Sequence, residues 1–117
     1  MDEQLKEHAL TCVPVGSRVT CNPPPTNTDE DWLCYVKDVD VFVELAIKMG
    51  YYITSEDDYE IEYFTSMRKE DVNLIITQES EFFNKFICAS NLAKRFNLLH
   101  KDDRIALFQG VLYANVI

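Results

Sequence analysis

The residues best suited to chemistry gather in one stretch, Val13 to Val36, which reads VPVGSRVTCNPPPTNTDEDWLCYV. Asp29 and Asp31 stand two apart at the start of an apolar run, and side chains two apart in a strand share a face. Two carboxylates so placed suit Mg²⁺, which is usually held by one or two carboxylates, waters and substrate phosphates. Glu30, between them, faces away. Upstream, Gly16-Ser17 ends a short apolar run. Glycine lets the backbone approach a ligand closely, and the Ser17 hydroxyl with nearby amides suits a phosphate oxygen. Arg18 follows as a candidate phosphate partner. The chemistry expected is the joint holding of a metal and a phosphate.

Two strands must carry these groups to one end of a sheet. Val13-Pro14-Val15 reads as extended, at a sheet edge. Pro23 to Pro25 stiffen the loop from Arg18 to Thr28, where Asn22, Thr26, Asn27 and Thr28 supply turn bonds. Asp31 to Val36 is the second strand, apolar enough to be covered on both faces. Ahead of them, residues 2–12 have helical spacing of Leu5, Ala9 and Cys12. After them, Asp38 caps a helix to Met49 that buries Val39, Phe42, Val43, Ala46 and Ile47 and stops at Gly50. Tyr51 to Ile53 is a short strand or a packed loop, and Thr54 to Asp58 an acidic turn. Glu60 to Arg68 and Asp71 to Thr77 pair as a hairpin around Lys69-Glu70. Thr77 or Ser80 caps a helix with the stripe Phe82, Phe86, Ala89, Ala93 and Phe96. After a break at 97–101, a last helix runs from Asp102 to Asn115 with Ile105, Phe108, Val111 and Leu112 inward. The expected fold is a single α/β or α+β domain over residues 1–117: a small mixed sheet covered by helices, two of them C-terminal.

A strand, Gly-Ser, a connection, Asp-x-Asp and a second strand together resemble the signature of the nucleotidyltransferase superfamily, the fold of DNA polymerase beta, kanamycin nucleotidyltransferase and the minimal nucleotidyltransferases paired with toxins. The resemblance implies that Gly16 and Ser17 form a triphosphate-binding turn, that Asp29 and Asp31 are metal carboxylates for Mg²⁺, and that a nucleoside triphosphate is the substrate. FTSMRKEDVNLIIT and NLAKRFNLLHKDDRIALFQGVLY also look like small phage-encoded members, which implies the host cytoplasm. The family's third carboxylate falls at Asn73, beside the nucleotide. Asparagine binds a cation far less strongly and accepts no proton from an attacking hydroxyl. Asp71, two residues earlier, is the substitute base, and Glu60 and Glu62 are a second possibility. The triple proline is expected to disrupt the helix that usually follows the Gly-Ser turn.

Composition narrows the partners. The net charge is −9, from twenty acids and eleven bases among 117 residues, which excludes a surface for duplex nucleic acid. No apolar run is long enough for a membrane helix, and the start MDEQLKEHAL is no secretory signal, so a cytoplasmic protein is expected. The four cysteines, Cys12, Cys21, Cys34 and Cys88, lack zinc-ligand spacing; Cys34 and Cys88 read as small buried hydrophobes. Arg68 and Lys69, at the hairpin turn, could reach phosphates but read more simply as a solvated turn, and Lys94, Arg95, Lys101 and Arg104 as the one basic patch. Two functions follow. One is a Mg²⁺-dependent transfer of a nucleoside monophosphate to a hydroxyl, with Asp71 as base. The other is an acidic fold that binds and blocks a host or partner protein, as a nucleic-acid mimic does. The apolar ending VLYANVI suits docking on the core or a homodimer.

Overall fold

The strands run as expected from alternation, and the sheet they form is larger than one hairpin and one strand pair. The structure, a computed structural model, describes residues 1–25, 29–54 and 63–113. The turn bonds of Thr26, Asn27 and Thr28, the alternative carboxylates Glu60 and Glu62, and the end of the last helix at Asn115 lie outside these residues. The described elements are α1 (Glu3–Lys6), β1 (Thr11–Val15), α2 (Ser17–Thr20), β2 (Glu30–Tyr35), α3 (Val39–Lys48), β3 (Tyr52–Ile53), β4 (Thr65–Lys69), β5 (Val72–Thr77), α4 (Ser80–Arg95) and α5 (Lys101–Tyr113). The five strands form one mixed sheet in the order β1-β2-β5-β4-β3, in which β2 and β5 are parallel and the other pairs antiparallel.

Period-two alternation divides the core between the two faces. Cys34, Leu74 and Ile76 point one way and pack with Leu5, Phe42, Ala46 and Met67. Leu33 points the other way and packs with Val15 and Phe82. Leu33, Cys34, Leu74 and Ile76 are all fully buried. The central strands are nearly continuous in apolar residues because helices cover both sides.

Helix ends follow from cap chemistry. The Asp38 side chain accepts from the Val41 amide at 3.3 Å and starts α3. Gly50, at φ 96°, ends it: its amide donates to Ile47 O and the Tyr51 amide to Ala46 O, both at 3.0 Å. Asn97, at φ 48°, ends α4 by the same pair of bonds, from its own amide to Lys94 O and from Leu98 to Ala93 O, both 3.1 Å. Thr77 rather than Ser80 organises the start of α4, accepting from the Glu79 amide at 3.0 Å and donating to Tyr63 O at 2.7 Å.

Several expectations are corrected. The first helix stops at Lys6, because the Leu10 amide already bonds Tyr35 O at 2.8 Å and Cys12 pairs with Cys34 in the β1–β2 ladder. Sheet pairing outweighs the weak preference of one short helical stripe. A helical turn does form after Gly16, since Pro23 to Pro25 begin only beyond its end at Thr20. The hairpin turn is Glu70-Asp71, not Lys69-Glu70, with Lys69 paired to Val72. Ile47 and Phe96 face solvent, at 52% and 63% exposure, because α3 buries a narrower stripe and Phe96 lies past the last turn of α4. Cys88 is exposed rather than buried.

Candidate functional site

Sheet register assembles the polar centre. Asp31 of β2 is paired with Val15 on one side and with Asn73 of β5 on the other, and Asn73 is paired with Arg68 of β4. Laterally paired residues share a face, so Asp31, Asn73 and Arg68 form a row across three strands on the α4–α5 side. Asp29 enters the same row from just before β2. The two ends of the row are thereby tied to Gly16, which follows Val15, and to the hairpin.

The row is cross-linked. Arg68 grips Asp29 with both arms of its guanidinium, Nη1 to Oδ2 and Nη2 to Oδ1, each 3.0 Å. Arg68 Nη1 also donates to Asn73 Oδ1 at 3.1 Å. Asn73 Nδ2 in turn donates to Asp31 Oδ1 at 2.9 Å and to Asp29 Oδ2 at 3.3 Å. The other oxygen of Asp31, Oδ2, lies against Gly16, where an added Cβ would collide with the carboxylate. Gly16 has φ 84° and ψ −173°, a conformation open essentially to glycine alone. It is thus required twice, for its backbone and for its missing side chain.

This donor set does not fit Mg²⁺. A hard cation needs lone pairs directed at it, and both oxygens of Asp29 and Oδ1 of Asp31 accept from N–H groups, with Asp31 Oδ2 lying against Gly16. The orientation of Asn73 is fixed by chemistry: turning its oxygen towards the carboxylates would bring its NH₂ against the guanidinium, donor to donor.

The two aspartates are electrostatically unlike. Arg68 holds Asp29 below the usual carboxylate range, with Asn73 assisting. Burial pushes Asp31 up; the hydrogen bond from Asn73 opposes this and the charge of Asp29 adds to it. The signs give opposite pH effects. Asp29 adds stability above its unfolded pKa, about 3.9, lost as pH falls through its lower folded value. Ionised Asp31 is a cost at neutral pH, relieved as pH falls through its raised folded value. Asp31→Asn is therefore expected to raise the thermal midpoint at pH 7, and the gain should shrink as pH falls through the raised folded pKa of Asp31 and be gone below about 4, the unfolded value. Thermal melts of both proteins across pH 3–8 check this; a lower midpoint for Asp31→Asn at pH 7 would contradict it.

Asp29, Asp31 and Asn73 of the row line a cleft of about 760 Å³ between the sheet and the last two helices. Gly16, Ser17, Thr20 and Pro25 line one side, Asp29, Asp31 and Asn73 the floor, and Lys101 and Arg104 the other rim. Phe64, Phe82, Phe86 and Phe108 make the wall, with Phe64 and Phe82 stacked at 5.1 Å and Phe86 and Phe108 edge-on at 4.9 Å. The loop after α2 is pinned to the α4–α5 turn: the Asn22 amide donates to Asn97 Oδ1 at 2.9 Å, and Asn97 Nδ2 donates to Asn22 O at 3.0 Å.

The structure thus brings Gly16, Ser17, Asp29, Asp31 and Asn73 together. Arg18 is exposed beside them, and its charge reaches both aspartates. Asp71 is not with them; it sits exposed in the β4–β5 turn, outside the cleft lining. Glu30 faces away, accepting from the Trp32 indole and from the terminal amine of Met1 at 3.0 Å. Of the basic patch, Lys101 and Arg104 reach the cleft, and Arg104 also closes the α4–α5 turn by donating to Leu98 O and Leu99 O at 2.8 Å. Lys69 pairs with Asp2 at 3.5 Å rather than with the site. The residue that sequence reasoning missed is Arg68, read there as a solvated turn. The signal was present: a tight hairpin places Arg68 on the same face as the odd positions of β5.

The same fold occurs in the crystal structure of the conserved protein GrpB from Enterococcus faecalis, with a TM-score of 0.57 and 19% sequence identity over 91% of this chain and 76% of that one. No family model and no curated protein matches the sequence. Among the described residues, no helix is long and apolar enough to cross a membrane.

Proposed function

We propose that this GrpB-like fold is a nucleotidyltransferase-like scaffold that binds a nucleotide in the cleft without transferring it. The observation that carries this is the meeting of Gly16, Ser17 and the Asp29–Asp31–Asn73 floor with an aromatic wall in one cavity of about 760 Å³. That volume is in the range of small-molecule sites, about 300–1,000 Å³. A planar base suits the phenyl rings of Phe86 and Phe108. A phosphate suits the Ser17 side and the Lys101 rim, where Arg68 has already offset one of the two aspartates. Transfer lacks a base: Asn73 accepts no proton, and Asp71 points elsewhere.

Calorimetry with ATP, GTP, CTP and UTP tests the reading. The expected result is saturable binding of at least one nucleotide, weakened about tenfold by Phe86→Ala, the loss of one aromatic contact worth about 1 kcal/mol or slightly more. Absence of heat with all four nucleotides sinks the binding half. Labelled nucleoside monophosphate carried to protein, RNA or a small hydroxyl acceptor sinks the non-catalytic half.

A second reading rests on charge. With a net charge of −9, and with Lys101 and Arg104 lining the cleft and Arg18 and Arg68 acting on its aspartates, acids dominate the rest of the chain. That balance suits a basic surface on a partner protein. Pull-down at low salt should then recover a partner that is released near 0.5 M salt, where screening is strong, and that Asp29→Ala/Asp31→Ala still binds. Recovery of no partner at low salt removes this reading.

A further inference from the structure

We infer that Arg68 is the resident cation of this site, held in register by Asn73, and that the two together keep free divalent metal off the carboxylate pair. The inference concerns the cleft described above but stands on the carboxylate geometry, independently of whether a nucleotide binds.

Asp29 Oδ2 and Asp31 Oδ1 converge on a single atom, Asn73 Nδ2, at 3.3 and 2.9 Å. Two oxygens aimed at one point are what an ion requires, and here an amide nitrogen stands at that point. Positive charge comes instead from Arg68, whose planar fork fits a carboxylate through two parallel bonds, as at Asp29. The two substitutes are coupled. Arg68 Nη1 donates to Asn73 Oδ1 and so holds the NH₂ of Asn73 towards the carboxylates. An ion seated between Asp29 Oδ2 and Asp31 Oδ1 would have to turn Asn73 away and with it break the Arg68 bond. The arrangement is built into the fold, because Arg68 and Asn73 are direct partners across the β4–β5 hairpin and Asn73 and Asp31 direct partners across β5–β2. Arginine keeps its charge throughout the accessible pH range, so the site remains compensated where a lysine or histidine would titrate.

Mn²⁺ alone, with no nucleotide present, tests this on the wild-type chain and on Arg68→Gln/Asn73→Asp. Paramagnetic broadening of NMR signals locates the ion, and electron paramagnetic resonance counts it. In the wild type, one equivalent of Mn²⁺ is expected to leave the Asn73 side-chain amide and the Gly16 and Ser17 backbone signals intact. The double variant, with three carboxylates and no resident cation, should lose the Gly16 and Ser17 backbone signals and bind Mn²⁺ at least tenfold more tightly. Selective loss of the Asn73, Gly16 and Ser17 signals in the wild type overturns the inference. So does a double variant that keeps its circular dichroism and gains no affinity. If the double variant does not fold, the wild-type spectrum decides alone. A negative nucleotide titration has no bearing on these outcomes, so failure here and failure of the nucleotide reading are separable.

Discussion

Gly16→Ala is expected to lower stability by about 3 kcal/mol and to open the floor of the cleft at the same time. Two costs add at this one position. The backbone sits at φ 84° and ψ −173°, a region in which any side chain costs on the order of 1–3 kcal/mol. The new methyl would also meet the Asp31 carboxylate, the nearest group to an added Cβ. That carboxylate must then swing away from Asn73 Nδ2, to which it is bonded at 2.9 Å. The lost hydrogen bond adds about 1 kcal/mol. For a domain of this size the sum corresponds to a fall of roughly 10–15 °C in thermal midpoint. Urea unfolding measures the change, and the Asn73 side-chain amide shift in NMR reports whether Asp31 has moved. A loss below about 1 kcal/mol with an unmoved Asn73 signal would show that Gly16 is required neither for its backbone nor for its missing side chain.

Leu33→Ala is expected to cost about 3 kcal/mol, within the 2–5 kcal/mol typical of buried leucine truncations. Leu33 is fully buried between Val15 and Phe82, two residues beyond Asp31 on the same face of β2. Its removal leaves a void beneath the cleft floor, and Phe82, which packs in the same cluster and lines the cleft, can sink into it. The effect should therefore appear both in stability and in ligand binding. Ile53→Ala provides the control: Ile53 is 50% exposed on the edge strand β3, and its truncation should stay within about 0.5 kcal/mol. Equal effects at the two positions would mean that the α4–α5 face is not a packed core.

The site was legible in parts. Spacing alone placed Asp29 and Asp31 on one face, because the strand period of two is a local property of the backbone. The Gly-Ser turn beside them was legible from its residue types, whereas the expectation of a third carboxylate at Asn73 was implied only by the family resemblance. Arg68 was not read correctly, although its face was implied by the hairpin. Its partner depends on which two residues make the turn, and Glu70-Asp71 rather than Lys69-Glu70 closes it. A turn displaced by one residue moves every cross-strand pair, and local sequence weakly distinguishes two such charged turns. Phe82, Phe86 and Phe108 were read as helix stripes and Phe64 as part of a strand; that they bound one cavity follows from how α4 and α5 sit on the sheet.

By itself, the sequence determined the mixed α+β class, the order of most elements, the cap at Asp38, the stop at Gly50 and the shared face of Asp29 and Asp31. These depend on contacts between near neighbours in the chain, which residue types and spacing report directly. Only the tertiary structure decided that β5 lies beside β2, that Asn73 points its amide at both aspartates and that Arg68 supplies the charge between them. Those outcomes join residues about forty apart. They are settled by strand order and register, which arise from packing the whole sheet against its helices.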